Sequence, residues 1–127
     1  MFVTLAALFF ALLAAAVVLF QFALICGAPF GQITLGGKYP GRLPPIVRLV
    51  PAFSAVLLCG FALVVVARAG IGWPALAASS RTLVWFVVAY CAAGVLANFF
   101  TPSRHERRVW LPVVLLMLVS SSIVAMN

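Results

Sequence analysis

Apolar residues along the chain gather into four long runs, separated by polar connections that carry glycine and proline. The first run, FVTLAALFFALLAAAVVLFQFALIC, extends from Phe2 to Cys26. The second, IVRLVPAFSAVLLCGFALVVVA, covers Ile46 to Ala67; the third, TLVWFVVAYCAAGVLANFF, covers Thr82 to Phe100; the fourth, VWLPVVLLMLVSSSIVAMN, covers Val109 to Asn127. Each holds 19 to 25 residues, and a helix needs roughly 20 to cross ~30 Å of hydrocarbon. The two-residue alternation of a membrane β-strand is absent. The pattern therefore predicts an all-α protein, an integral membrane four-helix bundle. Its single transmembrane domain fills 1–127, with helices over about 2–26, 46–67, 82–100 and 104–126 and a long loop over 27–45. The first run exceeds the apolar core of a signal peptide, about 7–15 residues, and no Lys or Arg comes before Lys38. A retained first helix is expected.

Composition strengthens this picture. Hydrophobic residues make up 67% of the 127 and charged residues 7%, against about 45–50% and about 25% in soluble domains. Too few polar side chains exist to cover a water-facing surface, so the chain requires a bilayer.

Charge then sets an orientation. The net charge of +7 would suggest nucleic acid in a soluble protein. Here the cations follow the loops instead, and no nucleic-acid partner is expected. Lys38, Arg42 and Arg48 belong to the first loop, and Arg104, Arg107 and Arg108 to the third; the second loop has only Arg68 and Arg81. Cations concentrate in loops that stay in the cytoplasm. Loops one and three are therefore expected in the cytoplasm and both termini in the periplasm, in a multi-pass protein of a bacterial inner membrane. The same six cations are candidate contacts for anionic lipid headgroups or for a partner.

Candidate chemistry is sparse. Gly31 and Gly36 have the separation of a phosphate-binding loop, but Gly37 follows where lysine belongs, and Lys38 precedes Tyr39 where a hydroxyl should bind magnesium. Nucleotide binding is excluded. The segment from Gly27 to Pro45 nevertheless takes five of nine glycines and four of eight prolines. It far exceeds the roughly 2–8 residues that join bundled helices. It is expected to fold back on the bundle or lie among headgroups, as a lid or docking surface or as a structured linker. Pro44 and Pro45 should set the start of the second helix, and Pro51 should kink it.

In the third loop Ser103 and Glu106 form the S-x-x-E capping signature, and Thr101-Pro102 offers another helix start. Glu106 is the only acid, with Arg107 and Arg108 beside it. His105 and Glu106, adjacent on a helix, do not face each other, and no nucleophile accompanies them. No catalytic residue, cofactor or metal site is expected. Cys26, Cys59 and Cys91 lie one per span without ligand spacing and should be free thiols.

Polar residues within the spans are mild: Gln21, Ser54, Tyr90, Asn98 and Ser120 to Ser122. No Asp, Glu, Lys, Arg or His lies at mid-membrane depth, which argues against a proton-coupled pump. Small residues recur four apart at Ala89, Ala93 and Ala97, with Gly94 alongside. Such faces let helices approach closely, so the third helix is expected at the bundle centre or at a partner contact. Arg48-Leu-Val-Pro51 and Arg108-Val-Trp-Leu-Pro112 echo one another faintly, as related hairpins would.

The segments GAPFGQITLGGKYPGRLPPIVR and TPSRHERRVWLPV resemble a type of small four-helix bacterial membrane protein. The resemblance implies an inner-membrane location and brings no activity or site residues. Small multidrug transporters resemble the chain in length and span count, but they need an acid in the first span, and this one has none. Fluoride channels resemble it in size, but their polar Thr/Ser-Phe track is missing from VVAYCAAGVLANFF. The expectation is a non-enzymatic accessory or assembly subunit. It would pack against lipids, other membrane proteins or copies of itself; the alternative is an oligomeric transporter or channel for a small solute.

Overall fold

The computed structural model describes residues 1–72 and 74–127. It is all-α and 78% helical, with no strand among the described residues and four helices long and apolar enough to cross a membrane. These are α1 (Phe2–Ile25), α2 (Leu49–Arg68), α3 (Ala77–Phe99) and α4 (Arg104–Ala125). They run alternately up and down. α1 packs on α2 and α4, and α3 on α4 and, less extensively, α2. One end of the bundle, the terminal end, carries both chain termini and the α2–α3 connection. The other, the basic end, carries the α1–α2 and α3–α4 connections with Lys38, Arg42, Arg48, Arg104, Arg107 and Arg108.

Burial is inverted relative to a water-soluble bundle. Leu12, Leu19, Phe53, Val56, Phe86 and Val119 point outward and are exposed, whereas Ala7, Phe10, Val65, Val84, Val87 and Val124 close the terminal half with almost no accessible surface. Two small serines join that core. Ser80 donates to the Ala77 carbonyl at 2.6 Å and Ser121 to Leu118 at 3.2 Å, so their hydroxyls are satisfied within their own helices. α3 begins at Ala77 rather than near Thr82, so Ser80 lies inside its first turn. Its hydroxyl folds onto the first turn, and the polar stretch Ser79–Arg81 stays helical.

Helix ends follow local chemistry. α1 stops at Gly27, whose φ of +93° lets its N–H reach the Leu24 carbonyl at 3.1 Å while Ala28 reaches Ala23 at 2.9 Å. This pairing is the Schellman closure; α2 ends in the same way at Gly70. The start of α2 differs from expectation. Residues 45–48 wind through turns in which Val47 and Arg48 both donate to the Pro44 carbonyl, and the regular helix begins at Leu49. Pro51 is thus the third residue of α2, where an N–H has no intrahelical partner. The kink foreseen there becomes the helix start. The echo with α4 fades for the same reason, because Pro112 lies well inside that helix. Its missing N–H leaves the Arg108 carbonyl without its helical donor.

Gly31 crosses the 41-region of its own loop at minimal distance. Its N–H donates to the Gly41 carbonyl at 2.8 Å, and a Cβ at this position would collide with the Tyr39 carbonyl oxygen and lie 2.6 Å from that of Gly41. Gly31→Ala is expected to destabilise the protein by about 1–3 kcal/mol, the range for an overpacked site. Gly60→Ala, in an exposed helical turn with nothing within 4 Å, is expected to be neutral or to stabilise by about 0.5–1 kcal/mol. Thermal unfolding of both variants in mild detergent checks the pair.

Candidate functional site

The basic half of the bundle is not packed shut. A cavity of about 450 Å³ lies between all four helices, and the first loop roofs it. That volume falls inside the roughly 300–1,000 Å³ of small-molecule sites. Buried Val17, Leu58, Cys91 and Met117 form the floor. The Phe61 and Tyr90 rings, 4.9 Å apart edge to face, join α2 to α3 beside it. The polar lining comes from every side: Gln21 from α1, Ser54 from α2, Tyr90 and Asn98 from α3, Glu106 from α4 and Thr34 from the roof. Position along each helix gives the cavity a gradient. Gln21, Asn98, Thr34 and Glu106 stand at the basic end, and the apolar floor lies toward the bundle middle. Val50, Ala93 and Ala97 line the cavity yet are exposed. They mark an opening between α2 and α3.

The roof consists of two short 3-10 turns, Gly31–Ile33 and Leu35–Gly37, pinned to the start of α4. Ser103 caps α4 by accepting from the Glu106 N–H at 3.2 Å, and its hydroxyl donates to the Gln32 carbonyl at 2.7 Å. The Trp110 indole donates to the Ile33 carbonyl at 2.7 Å. The Glu106 carboxylate completes the set: Oε2 accepts from the Gly36 N–H at 2.7 Å. In a full capping box that carboxylate would return to the Ser103 N–H. Here the Thr101 hydroxyl takes that amide at 3.3 Å, which releases Glu106 to hold the roof. Between the pins Leu35 adopts φ +50°. This left-handed conformation costs a non-glycine residue about 1–2 kcal/mol, and it persists because the flanking residues are tied down on both sides.

The residues singled out in the sequence separate into distinct places. Ala93 and Ala97 line the cavity opening, Gly94 faces Val114 of α4, which a Cβ added there would meet at 3.8 Å, and Ala89 is exposed. The small-residue face of α3 thus borders a void instead of a close helix crossing. The helix with close alanine contacts is α1, through buried Ala6, Ala7 and Ala14. Lys38 lies 5.5 Å over its neighbour Tyr39. Arg42 donates through Nε to the Gly27 carbonyl at 2.9 Å, and Arg48 to Leu43 at 3.0 Å. Arg107 donates to the Thr101 carbonyl at 2.9 Å, and its Nε is buried without a partner. Arg104, His105 and Arg108 are exposed. The three cysteines are free thiols. Among the described residues no three His, Cys, Asp or Glu side chains converge as metal ligands.

Gln21, Ser54, Tyr90 and Asn98 stand singly in the sequence, yet they face one space. A signal was available in the helical register. Tyr90, Ala93, Gly94, Ala97 and Asn98 recur three and four apart, as do Glu106, Trp110, Val114 and Met117, and each series shares one helix face. No protein-family model matches the chain, and neither a curated protein nor a solved structure shows significant similarity to it.

Removing the Glu106 carboxylate should free the roof without unfolding the bundle. A hydrogen bond to a charged group contributes about 1.5–3 kcal/mol, so Glu106→Ala is expected to speed amide exchange across residues 31–37 roughly tenfold to a hundredfold. Trp110→Phe, which loses a neutral donor, should have a smaller effect at the same residues. Hydrogen–deuterium exchange in detergent, with the α1–α2 core as internal reference, measures both.

Proposed function

We propose that this protein is a membrane-spanning binding protein without catalytic activity of its own, which takes a small amphipathic molecule from the bilayer into the four-helix cavity. The observation that carries this reading is the convergence of Gln21, Ser54, Tyr90, Asn98 and Glu106, from four helices, on one space with an apolar floor. Ligand sites combine such an apolar lining with a few polar groups that fix orientation. The opening between α2 and α3 lies on the side of the bundle, so an entering molecule would come from lipid. Its polar head would lie level with the basic end and its apolar body toward the floor.

Of the two functions expected from the sequence, this favours the solute-handling one. An accessory role would rest on the apolar exterior, which lipid satisfies equally well. A channel through one copy would need a path past Phe10, Val65, Val84 and Val124, which fill the terminal half. We further propose the bacterial inner membrane as the location, with the basic end cytoplasmic, on the six-to-two distribution of cations between the ends.

Protein purified in mild detergent and extracted with organic solvent should yield one small amphipathic species in near-stoichiometric amount by mass spectrometry. Ala97→Trp, which fills the opening, should abolish it while the fold survives. Recovery of bulk phospholipid alone, unchanged by Ala97→Trp, would refute the binding reading. Orientation has its own test. In a variant with all three cysteines changed to serine, an impermeant thiol reagent added to intact cells should label Ala75→Cys in the α2–α3 connection. It should leave Lys38→Cys unlabelled until the cells are lysed; the reverse pattern would invert the topology.

A further inference from the structure

We propose that Arg42 and Arg48 form a binding site for a phosphate group at the C-terminal end of α1. Gly27, which closes that helix, has no side chain, and both guanidinium groups converge over it. A Cβ on Gly27 would stand 2.8 Å from Arg42 Nη2 and 3.4 Å from Arg48 Nη2, so both terminal nitrogens lie within 3.4 Å of a single point. Arg42 is exposed and Arg48 half-buried, and each is tied by its Nε: Arg42 to the Gly27 carbonyl at 2.9 Å and Arg48 to the Leu43 carbonyl at 3.0 Å. Leu43 itself is buried, which anchors the second carbonyl in the loop.

Two like charges held this close repel, and a negative charge between them would relieve that repulsion. The α1 C-terminus supplies only partial charge through its last carbonyls. The chain has one acid, Glu106, and its carboxylate is engaged by the Gly36 amide. No carboxylate of the chain is placed to do this, so an anion from outside is the group that fits. Both Nε atoms are used on backbone, so the Nη donors of two planar forks are left for it. Paired donors of this kind match the oxygens of a phosphate. The level is also right: the pair sits where α1 ends and α2 begins, at the basic end of the apolar spans, where a phosphodiester headgroup lies. Neither arginine lines the cavity, so this site stands independently of the binding reading above.

The test uses the full chain in a neutral detergent, with phosphatidylglycerol, phosphatidylcholine and inorganic phosphate as separate probes. Native mass spectrometry should show one phosphatidylglycerol held at least tenfold more tightly than phosphatidylcholine. Arg42→Gln/Arg48→Gln should lose that preference, whereas Arg104→Gln/Arg108→Gln, which removes the same charge from exposed positions, should keep it within about twofold. A rise in unfolding temperature with millimolar inorganic phosphate, absent from the Arg42/Arg48 variant, would identify the free ion as a sufficient occupant. No response to phosphate with retained phosphatidylglycerol binding would assign the site to the lipid headgroup. Should the double glutamine variant fail to fold, Arg42→Lys/Arg48→Lys keeps both charges and removes the planar forks, and it should weaken binding several-fold. The proposal is overturned if wild-type protein shows neither headgroup preference nor phosphate response, or if the Arg104/Arg108 variant loses binding equally.

Discussion

Hydrocarbon offers no hydrogen bonds, so a chain placed in it must satisfy its own backbone. That constraint organises nearly every feature of this structure. Within the spans the helices meet it by themselves. At their ends the orphan amides and carbonyls need other partners, and the protein supplies them in three ways. Glycine closures finish α1 and α2, a serine cap opens α4, and side chains from the basic end reach the carbonyls that remain. Arginines that serve in this way are bound to backbone first and to any outside anion second. This explains how Arg42, Arg48 and Arg107 find partners although the chain holds only one acid.

The same constraint gives Glu106 its place. A first loop of unusual length must cross the end of the bundle carrying many backbone amides, and a carboxylate in the first turn of α4 receives one of them. Ser103 and Trp110 engage the neighbouring carbonyls. These three contacts tie the first hairpin to the second and hold the roof over a space that helix packing alone would have closed or left open to the exterior. Leu35, in its left-handed conformation, shows that the roof is shaped by those anchors more than by its own preferences.

Much of the architecture could be read from residue order. The extent of α1, the serine cap of α4 and the number of helices follow from apolar length and capping chemistry. The misplaced boundaries have identifiable causes. Pro44, Pro45 and Pro51 together delay α2, because a proline early in a helix is comfortable only within its first turn. α3 starts ahead of Ser79–Arg81, a polar stretch that looks like loop and stays helical. The cavity was harder to see, since Gln21, Ser54, Tyr90 and Asn98 are each unremarkable in a membrane helix and gain meaning only when four helices bring them together. Glu106 was legible as a cap and not as a roof anchor, because its partner Gly36 is 70 residues away and nothing local marks that pairing.

That separation has a consequence for how the protein comes into being. The contacts that fasten the roof join residues 70 to 77 positions apart, and one side of each belongs to α4 or its cap, made after the first three helices. Until α4 arrives, the stretch from Gly31 to Gly37 has no docking site and its amides must be hydrated. Synthesis proceeds at about 5–20 residues per second, so the interval amounts to several seconds. During it the first three helices stand with an open end, and the chamber is sealed only once α4 docks.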